Sequence, residues 1–271
     1  MRLTRILLPL FVALVVAVRG ADAAAVVTGF HPSLQASVLV SGGAMMKGDH
    51  FADSVLPVMR EHYAGCRRVV LVLHASHPTE RDAMEGRLQK AFTHLLGDAV
   101  KAESLHRRDT AGVKKLLSEA DAFFVGGGET FVLLGELQRT GQLELIRARV
   151  LAGVPFGGSS AGANVAGLRI GTTNDFPTAD VVSRAALGIF PAVINPHHPL
   201  PGTKADFDSR VGKLKGYLKF NPEETVLALG NASIARLHGG RVVIMSGAAW
   251  LYTAAGARAL PVGEVVTGLS P

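Results

Sequence analysis

Short apolar runs alternate with segments of helical spacing through the first two thirds of the chain. Ser37-Val38-Leu39-Val40 ends at Ser41-Gly42-Gly43 and predicts a first buried strand. Residues 51 to 63 place Phe51, Val55, Leu56 and Met59 at helical intervals. Arg68 to Leu73 is continuous and β-branched, as befits a strand covered on both faces. Thr79-Glu80 opens an amphipathic helix running to Leu96. It is followed by an extended segment from Val100 to Leu105, a helix over 110 to 118, and the strand Ala122-Phe123-Phe124-Val125. Helix then resumes from Thr130 to Gln138 and continues in a second segment to Leu151. This repeated strand–helix order predicts an α/β fold, a three-layer α/β/α sandwich around a mostly parallel central sheet.

Beyond residue 160 the pattern changes. Leu187 to Asn195, Thr225 to Leu229, Ile234 to Leu237 and Val242 to Met245 read as strands, with His238-Gly239-Gly240-Arg241 as a hairpin turn between the last two. These are expected to form a mixed edge of the same sheet, and residues 26 to 271 to form a single catalytic domain. No linker, repeat or low-complexity stretch interrupts residues 30 to 271.

Candidate chemistry gathers where strands end, which is where open α/β sheets hold ligands and catalytic groups. Gly158-Ser159-Ser160-Ala161-Gly162 follows the apolar Val154-Pro155-Phe156 and has the form of a nucleophile elbow, in which a serine sits on a sharp strand-to-helix turn. Gly126-Gly127-Gly128-Glu129-Thr130 ends one strand and Asn195-Pro196-His197-His198 ends another, while Thr172-Thr173-Asn174-Asp175 lies in the loop region after the elbow helix. Taken singly, each reads as a tight turn or a solvated loop. If they converge, Ser160 supplies a hydroxyl, His197 the base it needs at neutral pH, and Asp175 a carboxylate to orient the imidazole. The amides of Gly127, Gly128 and Ala161 are then candidates for stabilising an oxyanion. The triple glycine lacks the lysine of a phosphate-binding loop, and the remaining histidines show no metal-ligand spacing.

Composition narrows this picture. The formal charge is +6, but the basic residues are scattered. The two clusters, His106-Arg107-Arg108 and Lys213/Lys215/Lys219, are expected on solvated helix faces or loops, not in a nucleic-acid footprint. Cys66 is the single cysteine, so no intrachain disulfide forms; with no glycine elbow beside it, it is expected to be structural. Arg2 and Arg5 precede an apolar run from Ile6 to Val18, and Arg19-Gly20-Ala21-Asp22-Ala23-Ala24-Ala25 follows. That order predicts a signal peptide over residues 1 to 25, cleaved near Ala23 or Ala25, since the run is shorter than the ~20 residues a bilayer span needs. A secreted or periplasmic protein without a stable membrane span follows, or a cytoplasmic one if the start codon lies further downstream.

The strand-end segments together resemble peptidase E, the aspartyl dipeptidase family of serine peptidases built on the class I glutamine amidotransferase-like fold. The residues that carry the resemblance are Phe124 to Phe131, Ser160 to Ala166, Thr172 to Pro177 and Phe190 to His197, in family order and spacing. It implies Ser160 as nucleophile, His197 as general base, no cofactor or metal, and a short peptide substrate with N-terminal aspartate. For the acid partner the family offers two positions. One is matched by Asp175, which takes the role here; the other falls on Asn231, where the acid is missing and only a neutral hydrogen bond to the histidine is available. Glu129 stands where the family usually has asparagine, and its carboxylate can bind a substrate amino group or take over part of the missing acid's role. Gly171 replaces a usual arginine, with Arg169 one strand period away. The alternatives are a cyanophycinase-like or β-aspartyl peptide hydrolase, and a non-catalytic binding module of the same fold. Glutamine amidotransfer needs cysteine at the elbow, where this chain has serine.

Overall fold

The structure is a computed structural model, described here over residues 35–269; the predicted signal peptide lies outside the described residues. The central sheet contains β1 (Ser37–Ser41), β4 (Arg68–Val72), β5 (Lys101–Ser104), β6 (Ala122–Val125), β7 (Phe156–Ser159), β10 (Ile234–His238) and β11 (Arg241–Ser246), after a small hairpin of β2 (Met46–Lys47) and β3 (His50–Phe51). The strand order is β11-β10-β1-β7-β6-β4-β5. From β1 to β5 every pairing is parallel, whereas β10 and β11 join the other edge antiparallel. This is the mostly parallel sheet with a mixed C-terminal edge that the alternating pattern predicts.

Strand alternation divides the core between the two faces of the sheet. Leu39, Val69, Leu71 and Phe124 turn towards α1 (Leu56–His62) and α2 (Arg81–Leu96), where Phe51, Tyr63 and Phe92 stack edge-on. Val38, Val40, Val70, Val72, Phe123 and Val125 turn the other way. They meet α3 (Thr110–Ser118), α4 (Thr130–Arg139), α5 (Gln142–Leu151) and α6 (Ala161–Ala166). Because both faces are covered, these strands carry unbroken apolar runs, Val38 to Val40, Val69 to Val72 and Ala122 to Val125. Cys66 is half-buried near the Asp121 carbonyl; burial pushes its thiol up to about 11, so it offers no thiolate.

The C-terminal third departs from expectation. β8 (Val193–Asn195), β9 (Val226–Leu229), β12 (Ala249–Thr253) and β13 (Gly256–Leu260) form a second sheet, in the order β13-β12-β9-β8. Only β10 and β11 extend the central sheet. The inner face of the second sheet shares the main apolar core through Ile194, Leu227, Leu229 and Leu251. Its outer face packs on α7 (Lys204–Phe220) through Val193, Val226, Leu214 and Leu218. Lys213, Lys215 and Lys219 point from α7 into solvent, as expected. The strand read from residue 187 begins only at Val193, because the amides of Leu187, Ile189 and Phe190 turn back to the carbonyls of Val165 and Ala166. They satisfy the open C-terminal end of α6 instead of a strand neighbour. Among the described residues no helix is long and apolar enough to cross a membrane.

Candidate active site

The elbow forms because α6 crosses directly over the sheet. A Cβ at Gly158 would lie 2.4 Å from the Gly162 carbonyl oxygen, and one at Gly162 would lie 2.1 Å from that of Val125. Only glycine permits both approaches. Between them Ser160 is held at φ 55°, ψ −113°, its amide donating to the Ser41 carbonyl at 3.1 Å. Four non-glycine residues among those described have φ in the left-handed region: Ala44, Ser160, His197 and Ala232. All four belong to this site, a concentration of backbone strain typical of functional centres.

Ser160 Oγ lies 2.7 Å from His197 Nε2, and His197 Nδ1 lies 2.6 Å from Asn231 Oδ1. The asparagine oxygen accepts the Nδ1 proton. Nε2 is thereby left with its lone pair towards the serine hydroxyl, the tautomer a general base requires. Ser160 is half-buried while His197 and Asn231 are exposed, so the relay opens to solvent on the histidine side.

Asp175 is not brought to the imidazole, both of whose nitrogens are occupied by Ser160 and Asn231. Its carboxylate instead accepts from the Thr130 amide at 2.9 Å, capping the first turn of α4. Thr173 Oγ1 donates to Thr130 Oγ1 at 3.1 Å, and Asn174 Nδ2 donates to the Pro196 carbonyl at 3.1 Å. The T-T-N-D segment thus ties the glycine loop to the N-P-H segment. Sequence spacing alone does not separate a carboxylate that orients a histidine from one that caps a distant helix.

Gly127 lies against the serine: a Cβ there would meet Ser160 Cβ at 2.9 Å. Gly128, at φ 131°, is pressed instead onto the Ala75 carbonyl. Ala161 opens α6, where the first amides have no partner inside the helix. Glu129 accepts from Thr178 Oγ1 at 3.2 Å and does not touch the imidazole. Arg169 pairs with buried Glu224 at 2.8 Å, and Tyr217 also donates to that carboxylate. Gly171 has no room for a larger side chain, since a Cβ there would lie 2.6 Å from the Tyr217 ring. Arg169 and Tyr217 therefore brace the loop after α6 through Glu224.

Two groups of residues escaped the sequence reading. Ser41, Gly42 and Gly43 present successive carbonyls to the amides of Ser160, His197 and Ala232, at 3.1, 2.9 and 2.7 Å. One turn after β1 thus spaces all three members of the relay. Its only sequence signal was a glycine pair at a strand end. Arg210, on α7, donates from Nη1 to Asn195 Oδ1 at 2.9 Å and to the carbonyls of Pro196 and His197 at 3.2 and 3.3 Å. It holds the histidine loop from beneath, a role without any local signature.

One trio among the described residues, Asp82, Glu85 and His106, has ligand-like spacing. The guanidinium of Arg107 lies on both of its carboxylates, making it an ion-pair cluster.

The sequence profile of peptidase family S51 matches residues 38–245, which include every member of the relay. The chain belongs to peptidase family S51. It is 37% identical to peptidase E of Streptomyces coelicolor over 212 residues, covering 77% of this chain and 83% of that one. To peptidase E of Actinobacillus pleuropneumoniae serotype 7 it is 32% identical over 214 residues, covering 77% and 88%. The crystal structure of a peptidase from an acI-B1 actinobacterium superposes with a TM-score of 0.61 at 15% identity, over 85% of this chain and 96% of that one, which shows the shared fold. As an S51 peptidase, this protein is a serine hydrolase.

With Asn231 behind the histidine, the S51 relay here is neutral at its third position. Changing Asn231 to alanine is expected to lower kcat by about 10²-fold, less than loss of a triad carboxylate costs, since only a neutral bond is removed. Asn231→Asp is expected to retain activity and to move the acidic limb of the kcat/KM–pH profile upward, because a carboxylate favours the imidazolium. Pre-steady-state and steady-state kinetics from pH 5 to 9 check both; an Asn231→Ala enzyme of unchanged kcat would remove Asn231 from the relay.

Proposed function

We propose that this protein hydrolyses short peptides through an acyl-enzyme on Ser160, with His197 as general base and acid. The observation that carries this is the hydrogen-bonded sequence from Ser160 Oγ to His197 Nε2 and from His197 Nδ1 to Asn231. His197 Nε2 takes the hydroxyl proton as Oγ bonds to the scissile carbonyl carbon. The tetrahedral oxyanion is met by the Gly127 amide, beside Ser160, and by that of Ala161 at the start of α6. The C–N bond then breaks, and the leaving amine carries off the proton from His197. Water, deprotonated by the same nitrogen, adds to the acyl carbon; its proton returns to Oγ as the ester breaks. The sum is one peptide bond and one water consumed, with one carboxylate and one amine released.

Dipeptides are the first substrates of this proposal, and those with N-terminal aspartate are the ones the resemblance to peptidase E implies. The basic, apolar and small-residue order of residues 1 to 25 supports export, so we place the mature enzyme outside the cytoplasm. Purified mature protein is expected to release free amino acids from a panel of α-aspartyl, β-aspartyl and neutral dipeptides. Hydrolysis is expected to stop on treatment with diisopropyl fluorophosphate and to persist in EDTA. Hydrolysis that survives complete fluorophosphate treatment would sink the serine mechanism.

A further inference from the structure

The cleft that opens beside Ser160 has a lining at odds with an acidic side chain. It has a volume of about 290 Å³ and runs from Ser160, His197 and Gly127 towards the hairpin and α2. Its far walls are Met45, Met46, Met84, Leu88 and Phe124. Met84 and Leu88 are one helical turn apart on α2 and share the lining with Met45 and Met46 at the hairpin.

Among the described residues that line the cleft, Arg87 alone carries a guanidinium or ammonium group. It is already committed. Its Nη2 donates to the Gly48 carbonyl at 2.9 Å, and its Nε lies 3.9 Å from the Asp49 carboxylate. Asp49 also takes Lys90 at 2.8 Å, and the Arg87 side chain is 42% exposed. Arg87 is thus anchored at the solvent mouth, facing a carboxylate the protein itself provides. Ser76 adds only a neutral hydroxyl.

A substrate carboxylate entering this cleft would exchange water for thioether and aliphatic walls, a transfer that is costly without a dedicated partner. An apolar side chain gains from the same walls, and methionines adapt to its shape. We infer that the cleft receives the side chain of the residue whose carbonyl Ser160 attacks, and that it selects an N-terminal methionine or leucine over aspartate. This rests on Ser160 being the nucleophile. The catalytic chemistry is unchanged; the substrate class moves from acidic to apolar dipeptides.

The test compares kcat/KM for Met-Ala, Leu-Ala and Asp-Ala, normalised to active sites titrated with a fluorophosphonate. Met-Ala and Leu-Ala are expected to exceed Asp-Ala by about ten- to a hundredfold, the worth of burying one such side chain. Met84→Lys, at a half-buried position on α2, is expected to cut the Met-Ala value at least about tenfold while Asp-Ala holds or rises. The titration of sites separates this from misfolding. Arg87→Gln is expected to leave the ranking unchanged. Stoichiometric labelling with Asp-Ala equal to or better than the apolar substrates overturns the inference alone, as does labelling without turnover of Met-Ala or Leu-Ala. Absence of both labelling and hydrolysis overturns the serine mechanism, and the inference with it.

Discussion

Alanine at position 160 is expected to lower kcat by about 10⁴–10⁶-fold while KM stays within a few-fold, the pattern of a group that acts in the transition state. The substitution removes one oxygen from a half-buried position and leaves the elbow backbone intact, because its geometry depends on Gly158 and Gly162. Alanine also tolerates the strained φ about as well as serine does. Stability should therefore change little, and the thermal midpoint distinguishes lost chemistry from lost structure. A Ser160→Ala enzyme within tenfold of the parent would show that another group attacks the carbonyl.

The second large effect is expected at Gly43, a residue no motif marks. A Cβ there would lie 2.2 Å from His197 Cε1, and the position has φ 104°. Alanine must therefore either push the imidazole back by about 1 Å or more or distort the turn that also holds Ala232. Either movement stretches the 2.7 Å contact with Ser160 beyond hydrogen-bond reach. Misplacing a catalytic group by ~1 Å costs on the order of 10²-fold, and the turn governs the Asn231 side as well. The expectation for Gly43→Ala is a kcat lower by about 10²–10³-fold, with far-ultraviolet circular dichroism unchanged. Retention of activity would mean that the turn does not set the position of the imidazole.

The strands and helices of the central sheet are legible from the sequence because burial on both faces leaves a strong pattern. Val69 to Val72 and Ala122 to Val125 are apolar at every position, and α3 begins and ends within the residues its spacing marks. The second sheet is not legible. Val226 to Leu229 has the same texture as a central strand, and nothing local tells which sheet a buried strand joins. The site shows the same division. Ser160 and His197 stand out because an elbow and a histidine at a strand end are local features. Asp175 does not take the third place expected of it, and Asn231 takes it through the neutral bond, because a loop side chain finds its partner only through tertiary packing. Asp175 points back to the Thr130 amide, while Ala232, its amide hydrogen-bonded to the Gly43 carbonyl, sets the preceding residue, Asn231, against the imidazole.

That arrangement explains how an S51 chain can keep its relay without an acid in the third place. The imidazole is oriented by one asparagine oxygen, by the hydrogen bond that the His197 backbone N–H donates to the Gly42 carbonyl, and by Arg210 beneath the loop. Orientation and tautomer are supplied by neutral dipoles and backbone. The contribution that is lost is the carboxylate's stabilisation of the imidazolium. The relay is accordingly expected to work at a lower rate than an acid-supported one, not to be silent.

The central claim is that Ser160 is the nucleophile made reactive by His197. Its most direct test is peptide mass mapping of the diisopropyl fluorophosphate adduct in the parent and in His197→Ala. The account predicts one phosphoryl group per chain, on Ser160, formed at a rate that tracks loss of peptidase activity and is strongly reduced in His197→Ala. Labelling at another residue, or labelling of Ser160 at an undiminished rate without His197, would contradict it.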